Sequence, residues 1–245
     1  MARTPEGTAL TAAHLRQQTA LRAATIRDII RLYPMWDPFD KASYERFVQA
    51  VVLLTQARGV NSAALAARYY EMFKAVDLGL TMGKAAVLAA PAGAAQIEVA
   101  IRSTAVAGFW RGLGAGQTTD QALKNGLVQL TGAVAREVLN GGRDTIVQEV
   151  QRDPDAGGWI RVSDGDPCGF CAMLLSRGPV YKEESADFQA HDHCGCGAEP
   201  VYAGSKWPAA NQKYHDLWNQ TKHDTSTDPV NAFRRAIEGR TAPTE

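Results

Sequence analysis

The sequence predicts a mainly α-helical protein with a small C-terminal α+β module. Apolar residues recur at helical spacing through most of the first 152 residues. After Gly158 the pattern changes to short β-branched and aromatic stretches punctuated by glycine, proline and aspartate. All four cysteines lie in this later part, in "PCGFCAML" and "HDHCGCG". We therefore expect a helical N-terminal region over 1–152, a Cys/His-rich β-module over 153–205, and C-terminal helices with a flexible tail over 206–245.

The charge balance excludes a general electrostatic attraction to nucleic acid or anionic membrane, because 26 Lys and Arg residues face 26 Asp and Glu residues. The N-terminal segment lacks the pattern of a signal peptide, and no apolar run approaches the roughly 18 residues of a membrane span. We expect a protein made and kept in a cytoplasm. In a reducing compartment, clustered cysteines are more often metal ligands or catalytic groups than disulfides.

Caps and apolar stripes predict the first helices. Thr11 is the predicted N-cap of the first helix, which "YPMWDPFD" ends. Asp40 is the predicted N-cap of the second, and Gly59 occupies the position of its C-terminal cap. Asn61 is predicted to begin a third helix that ends at "DLGLTMG". The stripes on these helices are Ile26, Ile29, Ile30 and Tyr33; Tyr44, Phe47, Val51 and Leu54; and Leu65, Tyr69, Met72 and Phe73.

The stretch 85–95 is compatible with a broken helix or a mobile connection, because Pro91 and Gly93 interrupt its alanines. From about Ala94 a fourth helix is expected, ending near "GLGAG". Its stripe is Ile97, Ile101, Ala105 and Phe109.

A capping box formed by Thr118 and Gln121 predicts the start of the next helix. Its apolar stripe is Leu123, Leu127, Leu130, Val134 and Val138. Asn140, Gly141 and Gly142 are expected to break it before a short helix resumes. Beyond that point "WIRVS", "PVYKE" and "EPVYA" are predicted strands. Two helices are predicted near the C-terminus, the second with Pro229 in its first turn.

The cysteine clusters predict a structural zinc site. Cys168 and Cys171 have the spacing of a zinc knuckle, and His191, Cys194 and Cys196 follow after a loop of about twenty residues, within the range of structural zinc sites. Four protein ligands leave no open position for water, so the predicted role is structural. A disulfide is the alternative use of these cysteines, and free cysteines are the simplest interpretation of all.

More candidates are present than a single ion needs. We expect Cys168, Cys171 and Cys194 to be ligands, with either His191 or Cys196 as the fourth. His193 is the expected non-ligand.

A catalytic interpretation has less support. Cys171 with His191 or His193 has the composition of a thiol protease dyad. A serine version would use Ser163 or Ser176 with His191 and Asp164 or Asp187. No pattern around those serines marks a nucleophile elbow or an oxyanion hole, so the sequence favours a protein that is not an enzyme.

The segments "NGGRDTIVQEVQRDPDAGGWIRVSDGDPCGFCAMLLSRGPVY" and "FQAHDHCGCGAEPVY" resemble the minor head proteins of tailed bacteriophages related to the F protein of phage Mu, in the branch found in phages of actinobacteria. The family pattern is CxxC, a loop, and then HxxCxC. It falls here on Cys168, Cys171, His191, Cys194 and Cys196. The resemblance covers about residues 140–202, and Gly195 replaces an arginine that is common in the family.

This resemblance implies a minor capsid protein that binds the portal protein and takes part in head morphogenesis. Its expected location is the interior of the virion near the portal vertex, after assembly in the host cytoplasm. Scaffold, major capsid protein and packaged DNA are further expected contacts, and no membrane contact is expected during assembly. Because relatives are often described as capsid maturation proteases, cleavage of scaffold or capsid precursor is the alternative function.

Overall fold

A computed structural model describes residues 4–165, 167–181, 187–224 and 227–239. A body of long helices precedes a small antiparallel sheet, which confirms the predicted fold class. None of the described helices combines the length and apolarity of a membrane span. The helices are α1 (Pro5–Leu32), α2 (Lys41–Leu78), α3 (Ala94–Ile101), α4 (Ala107–Gly114), α5 (Thr119–Arg152), α6 (Gly169–Ser176), α7 (Ala209–Thr221) and α8 (Pro229–Ile237). The strands are β1 (Ala156–Val162), β2 (Val180–Tyr181) and β3 (Gly197–Tyr202).

The first helix begins earlier than predicted. Thr4 is its N-cap, because the Thr4 hydroxyl accepts a hydrogen bond from the Gly7 N–H at 3.0 Å, and Pro5 occupies the first turn. The prediction that Thr11 caps the helix is wrong. Thr11 is buried within α1, and its hydroxyl donates to the Glu199 carboxylate of β3 at 2.5 Å.

The predicted second and third helices form one continuous helix, α2. Asp40 is its N-cap as predicted, since its carboxylate accepts from the N–H groups of Ala42 and Ser43. The predicted boundary at Gly59 and Asn61 is wrong, and the helix ends at Gly79, which has a left-handed φ of 66°.

The predicted break in α5 is also wrong, although its start is confirmed by the capping box of Thr118 and Gln121. The helix continues through Asn140 and its two following glycines to Arg152. Gly142 allows close packing against α2, and its N–H donates to the Ser62 hydroxyl at 3.1 Å. Packing between helices therefore outweighs the low helix propensity of glycine at this position.

The fourth predicted helix begins at Ala94 as expected, but it contains a π-helical segment over Arg102–Val106 between α3 and α4. Its apolar residues are all four positions apart, whereas an α-helix has 3.6 residues per turn. Such a stripe would drift around an ideal α-helix, and the wider π turn corrects the drift. Ile97, Ile101, Ala105 and Phe109 are consequently all buried.

The segment between α2 and α3, left open by the sequence, has no regular structure up to Gly93. Side chains of α2 and α5 accept hydrogen bonds from its backbone N–H groups. The Ala86 N–H donates to Glu71 of α2 at 2.8 Å, and the Ala89 N–H donates to Thr145 of α5 at 3.0 Å. The segment is therefore an ordered connection along these two helices.

The sheet has the strand order β2-β1-β3, and both pairings are antiparallel. Trp159 of β1 lies opposite Val180 on one side and Pro200 on the other. The predicted strands in "WIRVS" and "EPVYA" are confirmed. Of "PVYKE", Val180 and Tyr181 form β2, and residues 182–183 lie outside the described residues.

Two hydrophobic cores meet along α5. One lies among the helices and includes Ile29, Phe47 and Leu130. The other joins α2 and α5 to the sheet and to the three buried cysteines. Both predicted C-terminal helices are present, and α8 begins at Pro229 with Asp228 as its N-cap. Residues 240–245 lie outside the described residues, so the flexible tail stays a prediction.

Candidate metal centre

The first pair of cysteines is presented by the start of α6, an element that the sequence analysis did not predict. Cys168 is the residue before the helix, and Cys171 lies in its first turn. Residues three apart face the same side of a helix, so both sulfur atoms point towards one place. Cys168 is exposed and Cys171 is buried.

The second group of donors lies between β2 and β3 and approaches the first group closely. His191 Nε2 is 2.9 Å from Cys168 Sγ and 3.4 Å from Cys171 Sγ. Cys171 Sγ is 3.5 Å from Cys194 Sγ. Donors arranged tetrahedrally at about 2.3 Å from a zinc ion lie roughly 3.8 Å from one another. Each of these three separations is therefore close to the distance expected between two ligands of one ion.

The five predicted donors fall into two overlapping groups. Within each group the donor atoms lie within 4.8 Å of one another. One group is Cys168, Cys171 and His191, and the other is Cys171, Cys194 and Cys196. Cys171 belongs to both, so this cluster of cysteines and a histidine could hold a metal ion with Cys171 at its centre.

The four cysteines, all within the described residues, form no disulfide. The separation of 3.5 Å between the sulfur atoms of Cys171 and Cys194 is well beyond the bond length of about 2.05 Å. The predicted alternative of a disulfide is thus absent from this structure.

His191 has a ring orientation suited to a ligand. Its Nδ1 donates to the carbonyl oxygen of Asp192 at 2.5 Å. With the proton on Nδ1, the lone pair of Nε2 points towards the sulfur atoms of Cys168 and Cys171. The ring of Phe170 also contacts the imidazole edge, with centroids 5.8 Å apart.

His193 belongs to neither group of donors. It has a left-handed φ of 64°, which is unusual outside glycine, and its ring lies against Gly132 of α5. A Cβ atom on Gly132 would be 2.4 Å from His193 Nε2. The glycine therefore provides the space in which the imidazole packs.

Gly195, where the resembled family commonly has arginine, is surrounded by an ion pair. Arg22 of α1 is 3.5 Å from the carboxylate of Asp164. A Cβ atom on Gly195 would lie 1.8 Å from Asp164 Oδ2 and 2.6 Å from Arg22 Nη1. A larger residue here would require these two side chains to move.

The structure adds three residues that the sequence analysis missed. Arg143 of α5 and Arg161 of β1 are buried beside the cluster, and both guanidinium groups lie over the ring of Phe188. A signal was available for each arginine. Arg143 lies between Leu139 and Ile146 on the apolar side of its helix. Arg161 comes two residues after Trp159 and therefore lies on the same side of the strand.

The cluster favours a thiolate at Cys194. The pKa of Cys194 is lowered because the thiols of Cys171 and Cys196 hydrogen-bond to its sulfur and the Arg143 guanidinium attracts its charge. The pKa of Cys171 is raised, chiefly because its thiol proton is held in the hydrogen bond to Cys194. A thiolate is the form that binds metal.

The serine protease arrangement that the sequence analysis considered is not assembled. Ser163 accepts from the Gly165 N–H, and the Ser176 hydroxyl donates to the Met173 carbonyl oxygen. Throughout the part of the chain that the structure describes, neither hydroxyl is hydrogen-bonded to a histidine ring. Asp164 is paired with Arg22, as described above.

Comparisons with known proteins identify the family. A family model described as "VG15 protein" matches residues 5–221. The "Gene 15 protein" of Mycobacterium phage D29 is 30% identical over an alignment that covers 45% of this chain and 59% of that protein. The chain thus matches less than two thirds of that relative's length, and no solved structure matches. These findings support the predicted resemblance at the level of a bacteriophage protein family. The chain belongs to the VG15 protein family.

Proposed function

We propose that this protein is a minor structural component of a bacteriophage head, associated with the portal, and that its cysteine cluster binds one structural zinc ion. The observation that carries the proposal is a pair of overlapping donor groups, drawn from two separate segments of the chain and sharing the Cys171 sulfur. Membership of a family with a bacteriophage relative supports the viral context.

The donor set fits zinc by its chemistry. Thiolate sulfur and imidazole nitrogen are the ligands of structural zinc sites, and a site filled by four protein ligands has no position for a reacting water. We assign Cys168, Cys171 and Cys194 as ligands, with His191 or Cys196 as the fourth. The ion would supply a cross-link between the start of α6 and the segment that precedes β3.

This cross-link would serve a structural adaptor. The buried cysteines are part of the core that joins the sheet to α2 and α5. Fastening two loops at this point would hold the module on the helical body without a large additional hydrophobic core. We propose that the assembled protein lies inside the virion near the portal vertex and is present in the host cytoplasm during assembly.

The proposed partners are the portal protein first, with scaffold, major capsid protein and packaged DNA as further contacts. Quantitative mass spectrometry of purified procapsids and virions tests the role. We expect intact chains at a few to a dozen or so copies per portal in both particles. Absence from both particles would contradict a structural role in the head.

Direct portal binding needs a second experiment with a matched control. The chain is co-expressed with its cognate portal, and complexes are measured by size-exclusion chromatography at micromolar concentration. Cys171→Ser should weaken the complex if the folded module is required, while Thr119→Ala, an exposed change on α5, should not. No complex with the wild-type chain would count against portal association.

A capsid maturation protease is the second candidate, and one contact favours it. Cys168 is exposed, and its sulfur lies 2.9 Å from His191 Nε2, which is the geometry of a thiol and its base. This function predicts that precursor is cleaved in the presence of the chain and that Cys168→Ser stops cleavage while the protein stays folded. Cleavage that is lost only together with zinc and folding would instead support the structural role.

A further inference from the structure

Two buried arginines flank the cysteine cluster, and neither forms a salt bridge with a carboxylate of the described residues. Arg143 is 3% exposed and Arg161 is 4% exposed. Among the described residues, no carboxylate forms a salt bridge with either guanidinium. Because an uncompensated buried charge is costly, a nearby source of negative charge is expected.

The cysteine sulfur atoms are in a position to provide that charge. Arg161 Nη1 is 3.9 Å from Cys194 Sγ. Burial and the positive charge of Arg161 lower the pKa of Arg143, whereas negative charge on the cysteine sulfur atoms, above all on Cys194, raises it. Both guanidinium groups therefore lie where they stabilise negative charge on the sulfur of Cys194.

Arg143 also holds the backbone of the second donor segment. Its Nε donates to the Cys196 carbonyl oxygen at 3.0 Å, and its Nη2 donates to the Cys194 carbonyl oxygen at 2.7 Å. The remaining nitrogen, Nη1, donates to Asn140 Oδ1 one helical turn earlier at 3.0 Å. The planar guanidinium thus fixes the C-x-C turn to α5 by two hydrogen bonds, a geometry that a lysine ammonium cannot reproduce.

We propose that Arg143 is a positioning residue of the metal centre, which orients the C-x-C turn for coordination and opposes the negative charge of the bound thiolates. A divalent ion with three thiolates and one imidazole has a net charge of 1−, and with four thiolates 2−. Arg143 and Arg161 suit either ligand set. This inference rests on the proposed binding of zinc and adds the residue that prepares the site.

Zinc affinity measured by competition with a chromogenic chelator tests the inference. Arg143→Met removes the charge and the donors, and we expect the affinity to fall roughly 10- to 100-fold, as for other residues that orient ligands. Arg143→Lys keeps the charge, so its zinc affinity should fall less than that of Arg143→Met. The matched control is Arg152→Met on the same helix, whose guanidinium pairs with Glu149 away from the cluster.

A spectroscopic readout separates positioning from general stability. In the cobalt-substituted protein, the thiolate charge-transfer and ligand-field bands should change in Arg143→Lys and stay unchanged in Arg152→Met. If Arg143→Met does not fold, Arg143→Lys and Asn140→Ala test the positioning role instead. Asn140→Ala removes only the acceptor that orients Nη1 of Arg143. Each should lower zinc affinity and alter the bands.

The outcomes distinguish this inference from the function on which it rests. A wild-type chain that binds no zinc would overturn the proposed metal centre. A wild-type chain that binds zinc, with folded Arg143 variants of the same affinity and spectrum, would overturn the positioning role alone.

Discussion

Gly141 of α5 lies directly against Gly59 of α2, where a Cβ atom on Gly141 would be 2.4 Å from the Gly59 carbonyl oxygen. Because the obstructing atom belongs to the backbone, Gly141→Ala should force the two helices apart. We expect the free energy of unfolding to fall by about 1–3 kcal/mol, measured by urea denaturation.

Gly114 provides the control for this change. It ends α4, and apart from its chain neighbours and the backbone of its own helix no atom lies within 4 Å of a Cβ built on it. Gly114→Ala should leave the stability unchanged or raise it slightly, because alanine has the higher helix propensity. Equal losses from both substitutions would contradict the importance of the Gly59 contact.

His14 predicts a loss of stability in acid. Burial lowers its pKa to about 4 from 6.5, and its ring stacks on Tyr69 with centroids 4.4 Å apart. The unfolded chain binds more protons at this position between pH 4 and 6.5. The contribution of neutral His14 to the free energy of unfolding is therefore complete above pH 6.5 and is lost as the pH falls to 4. Its size is about 3 kcal/mol. His14→Phe keeps a stacking ring and should flatten the pH dependence of unfolding.

The exposed His223 is the comparison for this prediction. His223→Gln should follow the wild-type pH profile. A wild-type profile for His14→Phe as well would show that other groups cause the acid sensitivity.

Removal of metal should destabilise the sheet and its core. If zinc is bound as proposed, excess chelator should lower the melting temperature, and Cys171→Ser should abolish zinc binding because this sulfur belongs to both donor groups. His193→Ala should keep the wild-type zinc content, since His193 belongs to neither. Metal analysis of the three purified proteins checks both expectations, and zinc loss in His193→Ala would contradict the assigned donors.

The capping box at the start of α5 gives a fourth prediction. The Thr118 hydroxyl accepts from the Gln121 N–H, and the Gln121 side chain accepts from the Thr118 N–H. Thr118→Ala should cost about 1 kcal/mol in denaturant unfolding. Thr119→Ala, one residue later and also exposed, removes no cap and should be near neutral, so equal costs would be evidence against the box.

Local signals in the sequence predicted the elements whose caps are made by neighbouring residues. Asp40 and Thr118 bind N–H groups two or three positions away, and these contacts are visible in the sequence as residue types at fixed spacing. The errors occurred where a distant segment decided the structure. Gly59, Gly141 and Gly142 resemble helix ends, yet they allow two helices to approach closely.

In the candidate site, too, the prediction came from local patterns in the sequence, and contacts between distant segments were missed. The cysteine and histidine spacing predicted the donors, because ligand chemistry restricts both residue type and separation. Arg143, Arg161 and Phe188 were missed, since their role depends on α5 passing behind the C-x-C turn and on both guanidinium groups lying over the one Phe188 ring. These residues come close to the cysteines only in the folded structure and not in the sequence.

The unbroken course of α5 has a consequence for how the molecule opens. At 34 residues the helix is about 51 Å long, and it contributes Leu130 to one core and Ile146 to the other. Separating the cores would require this helix to melt in its middle, at the tightly packed Gly141. We therefore expect amide hydrogens near Leu130 and near Ile146 to exchange in a common global event, so that chelating a metal at the cysteine end would accelerate exchange at the distant end as well.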